Sequence, residues 1–131
     1  MLNKKDHELD VANLKMMQNA GKLNADVDVQ KFADAVAKWR KSDNAYDKAL
    51  LAEYGRDEDL DELVRSDDCT VRATVAYRKR NKDLDILVHD SNSGVREAVA
   101  IVGRKEDLEI LENDSNMYVR QTVEKVKALS K

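Results

Sequence analysis

The sequence contains no proline, four glycines, one cysteine and few aromatic residues, which make up 5% of the chain. The lack of proline and scarcity of glycine argue against a loop-rich or all-β chain, because tight turns depend on both residues. With Cys69 alone, an intramolecular disulfide framework is excluded, and the composition fits a reducing compartment. No apolar run is long enough to span a bilayer, and the first twenty residues lack the apolar centre of a secretory signal. The expectation is a soluble, cytoplasmic protein with no membrane partner. Neither sign of charge dominates. The net charge is −3, although charged residues make up 37% of the chain, and both signs are spread along its length. There is no basic arm or acidic block of the kind that polyanion binding uses.

What the sequence does have is a phrase written three times. "DDCTVRATV", "DSNSGVREAV" and "DSNMYVRQTV" place Val71, Val95 and Val119 at steps of 24 residues, each followed by an arginine: Arg72, Arg96 and Arg120. Self-similarity at such a period marks a repeat architecture. In rows of 24, Leu60, Leu84 and Leu108 align, as do Leu63, Leu87 and Leu111. Each pair has the i, i+3 spacing of one helical face. Asp59, Asp83 and Asp107 stand just before these leucines, where a carboxylate can cap the first amides or meet the helix dipole. These residues predict a short first helix in each row.

A polar turn follows, with Asp68, Asn92 and Asn116 in N-cap position for a second helix. The inward face of that helix is Val71/Val75, Val95/Val99 and Val119/Val123, at i, i+4. Ala76 and Ala100 add small residues where helices approach closely. Gly103 is expected to close a second helix as its C′ residue, and Gly55 stands in the same column.

The register extends upstream, where Val36 and Trp39 fall in the leucine columns and Leu51 and Ala52 in the columns of Val75 and Ala76. Residues 36–59 therefore read as a degenerate copy, with Asp47 where valine is expected. Residues 60–83, 84–107 and 108–131 are the clearer copies. Val29, Phe32, Val36 and Trp39 share one stripe, so the first helix of the degenerate copy is expected to be long and Trp39 to be buried. A further helix at roughly residues 6–20, with Leu9, Leu14 and Met17 inward, reads as an N-terminal cap, so residues 1–35 hold this cap and the start of the long helix. Glu124, Lys125, Lys127 and Lys131 make the last row polar, as an end repeat requires. One helix pair cannot bury its apolar stripe alone, whereas stacked pairs bury a continuous one.

The segments "LVHDSNSGVREAVA" and "LENDSNMYVRQTV" resemble short HEAT-like α-helical repeats of the leucine-rich repeat variant type. The resemblance covers roughly residues 36–131. It implies an all-α, right-handed α-solenoid of stacked short helix pairs with the N-terminal capping helix, in one domain over 1–131. The variant's Asn-Pro turn is missing from "YRKRNK" and "IVGRKE", which favours two true α-helices per row. The iron–sulfur cluster of that family needs several cysteines, so no cofactor is expected. HEAT-like DNA glycosylases use a basic concave groove, which this charge balance does not supply.

Arg72, Arg96 and Arg120 read as structural cations, pairing with Asp67, Asp90 or Asp114 of their own or the adjacent turn. Arg56, Arg80 and Arg104 form a second ladder, read as solvated loop residues. The competing reading is a nucleic-acid-binding edge along Arg56, Arg80 and Arg104. Asp26, Asp28 and Asp34 lack the glycine and glutamate of a calcium loop and read as a helix start. His7, His89 and Cys69 occupy unrelated row positions and form no triad or metal-ligand cluster, so no enzyme is expected.

The functional expectation is a non-catalytic protein-binding module, an adaptor or inhibitor of a larger protein such as a phage or mobile element would carry. Its partner would be a protein with an acidic surface, nucleic acid being the second choice. "YRKRNK" is the one uninterrupted basic stretch, and Tyr118 is the one bulky residue in a column of Thr70 and Gly94. The expected contact residues are therefore Tyr77, Arg78, Lys79, Arg80, Lys82, Arg104 and Tyr118.

Overall fold

In a computed structural model that describes residues 3–130, nine α-helices and no strands occur among the described residues. They fall into two compact units, Met1–Leu60 and Asp61–Lys131. No helix among the described residues is long and apolar enough to cross a membrane.

The first unit contains α1 (Lys4–Asn19), α2 (Val29–Lys41) and α3 (Ala45–Tyr54), with α2 packed against both α1 and α3. Asn3, Asp28 and Asn44 cap their N-termini, each carboxamide or carboxylate oxygen accepting two backbone N–H groups. Asp28 thus starts the helix that carries Phe32 and Trp39. Val11, Leu14 and Met17 form the buried side of α1, while Leu9 lies on the exposed side at 42%. The expected inward place of Leu9 is therefore corrected to Val11. Trp39 is half-buried rather than buried. It meets Phe32 edge-on, with ring centroids 5.7 Å apart, and Phe32 meets Tyr54 at 4.9 Å. An indole is too large for the space that a leucine fills in the later rows, so it joins an aromatic cluster instead.

α4 (Asp57–Leu63) carries the boundary, and the second unit continues with α5 (Cys69–Ala76), α6 (Asn81–Leu87), α7 (Ser93–Val102), α8 (Lys105–Leu111) and α9 (Met117–Leu129). α7 packs against both α5 and α9, while α6 and α8 each pack against the helices that precede and follow them. The valine and leucine columns build the core. Val71, Val75, Leu84, Leu87, Val95, Val99, Leu111, Val119 and Val123 are all buried to 1% exposure or less. Asp68, Asn92 and Asn116 cap α5, α7 and α9 as the turn pattern predicts.

The row ends divide in a way the glycine column does not foretell. Gly103 closes α7 in the left-handed region at φ 84°. Lys79, one row earlier, adopts the same region at φ 64°, a conformation that costs a side-chain-bearing residue about 1 kcal/mol. Gly55 is different, with an extended φ of −77°. A Cβ there would lie 2.5 Å from the Leu51 carbonyl and 2.9 Å from Asp59 Oδ2. Close approach, not left-handed backbone, demands that glycine.

Candidate partner-binding surface

Two arginine ladders, each at steps of 24 residues, organise the polar contacts of the chain. In the first, Arg72 donates through Nε and Nη2 to both oxygens of Asp90, at 2.8 and 3.1 Å, and Arg96 holds Asp114 at the same distances. The same arginines donate through Nη1 to the carbonyls of Ser66 and Asp90. Each guanidinium therefore ties the turn of its own row to the carboxylate of the next. Asp90 and Asp114 also accept the amides of Asn92 and Asn116. Arg96 meets only the main chain of Asp90, and Asp67 lies exposed, one place beyond the acceptor column of Ser66, Asp90 and Asp114. The hydrogen bond to Asp90 raises the pKa of Arg72, and that to Asp114 does the same for Arg96.

The second ladder corrects the sequence reading. Arg80 and Arg104 were expected to be solvated, yet each side chain is only 14% exposed. Arg80 grips Asp83 through Nε at 2.7 Å and Nη2 at 3.0 Å and reaches Asp61 at 2.6 Å. Arg104 repeats this with Asp107 and Asp85. Asp83 and Asp107 are each 1% exposed and sit at the third residue of α6 and α8 rather than ahead of them. A buried carboxylate needs a cation beside it, and the row-end arginine supplies it. Hydrogen bonding, first to Asp83 and to Asp107 respectively, raises both arginine pKa values, with burial opposing.

In the first unit Arg56 is held by Asp10, Asp6 and Glu58, and its own amide donates to Asp59. Arg40, which the row register does not mark, bridges Asp59 and Asp10 with four hydrogen bonds of 2.7–3.0 Å. Its pKa rises through the hydrogen bonds to Asp59 and then Asp10. Burial would raise the Asp59 pKa, but the Arg40 hydrogen bond and the Arg56 amide outweigh it and hold that carboxylate below its ordinary value. The Arg56, Arg80 and Arg104 charges are thus all answered by carboxylates within the chain.

The remaining expected contact residues divide by exposure. Tyr77 is 48% exposed at the C-terminus of α5, and Lys79 and Lys82 are exposed just beyond it. Lys82 and Arg80 both bind Asp61, whose pKa is lowered first by Lys82. Arg78 is half-buried. Tyr118 is 63% exposed in the first turn of α9, and α7 packs against both α9 and the α5 that Tyr77 ends. Sequence reading missed Ile101, which is 48% exposed one row after Tyr77, and the pair Ile86 and Ile110, exposed at 44% and 47% one row apart. The signal was available: a large apolar residue recurring at 24 residues outside the core columns. An open groove of about 200 Å³ runs beside Ile86 and is lined by Asp61, Val64, Arg65, Lys82 and Asp83.

The class that the structure defines is an all-helical chain with interlocked arginine–aspartate pairs. No protein-family model, no curated protein and no solved structure matches it.

Proposed function

We propose that the chain is a right-handed α-solenoid of HEAT-like repeats that binds another protein, as an adaptor or inhibitor, without catalysis. The observation that carries this reading is the recurrence of Tyr77 and Ile101, each 48% exposed, at one repeat position. Scattered exposed apolar residues are ordinary, but two large ones at one repeat position, at the end of α5 and on the α7 packed against it, give a short apolar contact line. Lys79 and Lys82, exposed and a few residues after Tyr77 in the chain, favour an acidic partner. Among the seven residues expected at the contact, Tyr77, Lys79, Lys82 and Tyr118 keep the exposure this role needs. Arg80 and Arg104 are instead engaged by Asp83 and Asp107. The nucleic-acid reading has less support, because its three arginines already face Asp10, Asp83 and Asp107.

Affinity capture from native host extract, with the wild type compared with Tyr77→Ser/Ile101→Ser, tests the proposal. Proteins retained by the wild type and lost from the variant, with circular dichroism unchanged, are the expected result. Equal recovery by both chains would remove this line from the binding surface. A salt-sensitive gel shift with duplex DNA would transfer the function to nucleic acid.

A further inference from the structure

Ile86 on α6 and Ile110 on α8 share one repeat position and are 44% and 47% exposed. α6 packs against α5 and α7, and α8 against α7 and α9, and both helices still turn this position outward. The starts of the two helices lie side by side. Arg104, the N-cap residue of α8, donates to Asp85 of α6 at 2.8 Å and to the carbonyl of Asn81 at 3.4 Å. One helical turn before each isoleucine the charge changes sign: Lys82 precedes Ile86 and Glu106 precedes Ile110, both exposed. Lys82 is a cation in surplus, because its partner Asp61, at 2.6 Å, is also held by Arg80 at 2.6 Å. Glu106 is a carboxylate in deficit, since among the described residues no cation meets its side chain. Asp85 and Glu109, directly before the isoleucines, are both acidic, and Arg104 already offsets Asp85.

We infer that the outer face of α6 and α8 pairs with the same face of a second copy of this chain in a two-fold contact. With the axis between the two helices and along them, α6 of each copy lies on α8 of the other. Ile86 then meets Ile110 of the other copy, and Lys82 meets its Glu106. Each contact occurs twice, as closed two-fold symmetry requires. Charge selects this occupant. A wholly acidic or wholly basic partner answers only one of the two groups, whereas a second copy presents both, in register and at the same distance from an isoleucine. The open groove of about 200 Å³ beside Ile86, lined in part by Val64 and Lys82, has room for the opposing side chain. So few residues make a weak contact, with dissociation expected between roughly 10 µM and 1 mM. The pairing uses none of Tyr77, Ile101 or Tyr118, so its failure leaves that contact line to its own capture experiment.

Sedimentation equilibrium of the full chain, from roughly 10 µM to 1 mM, tests the pairing. The average mass should climb from one chain toward two. Ile86→Ser/Ile110→Ser should weaken association about tenfold or more. Lys82→Glu and Glu106→Lys should each weaken it too, because each sets like charges opposite one another twice. Lys82→Glu/Glu106→Lys restores opposite signs and should recover the dimer, a rescue that a merely structural role for either residue would not give. Circular dichroism of every variant should match the wild type, since all four positions are exposed. A monomer throughout the concentration range would overturn the pairing. So would a dimer indifferent to the serine substitutions, a charge-swapped chain as weak as the single variants, or growth beyond two copies.

Discussion

Arg96 and Asp114 are joined by two parallel hydrogen bonds, from Nε at 2.8 Å and Nη2 at 3.1 Å, while Arg96 Nη1 holds the carbonyl of Asp90. One planar guanidinium thus fixes the spacing between two successive turns. A lysine could not do this, because its three donors radiate from a single point.

Arg96→Ala and Arg104→Ala should both destabilise the chain. Each leaves a carboxylate without its cation, Asp114 at 8% side-chain exposure and Asp107 at 1%. Breaking one side of a buried pair costs about 3–5 kcal/mol. Arg104→Ala should cost at least as much as Arg96→Ala, since Asp107 is the more deeply buried partner. Urea unfolding would check this, and a negligible loss for Arg104→Ala would return that side chain to solvent.

Val99→Asp should unfold much of the second unit. Val99 is 0% exposed on the inner face of α7, so an aspartate there would bury a carboxylate among apolar side chains. The cost is several kcal/mol, against a total stability of roughly 5–15 kcal/mol. Thermal melting that matched the wild type would show that the valine columns do not form the core.

Gly103→Ala and Lys79→Gly should move stability in opposite directions. Both positions are left-handed, at φ 84° and 64°. Alanine at 103 adds backbone strain and sets a Cβ 3.2 Å from Val126 Cγ1, for a loss of about 1–2 kcal/mol. Glycine at 79 relieves strain, offset in part by its greater freedom in the unfolded chain, for a gain of up to about 1 kcal/mol. Paired denaturant curves would measure both, and a gain from Gly103→Ala would contradict the observed turn.

Stability should fall as the solution is acidified below the ordinary carboxylate range. Burial opposes ionisation of Asp59 and Asp114, but hydrogen bonds from Arg40 and Arg96 and from backbone amides win, and both folded pKa values lie below the unfolded ones. The unfolded chain therefore takes up protons first. The stabilisation is complete above a pH of about 4 and is lost as pH drops through the folded values. Asp114→Asn should flatten that acid limb of the stability curve, while lowering stability at neutral pH.

The helices, their caps and most of the core were legible in the sequence because each depends on local chemistry. Valine at i, i+4, leucine at i, i+3 and a carboxylate or carboxamide ahead of them specify a short amphipathic helix wherever they occur, and α5, α7 and α9 begin where Asp68, Asn92 and Asn116 say they should. The 24-residue step told which positions share an environment. It could not tell what that environment was. Arg80 and Arg104 look like loop cations in the sequence because their partners are ordinary aspartates in a chain rich in charge. Only the packing of the helices makes Asp83 and Asp107 buried, and only burial turns the arginine beside each one into a structural pair.

Tyr77, Ile101 and Tyr118 show the same division. The sequence marks them as large residues outside the core columns. Exposure, set by which helix covers which face, decides that they meet solvent.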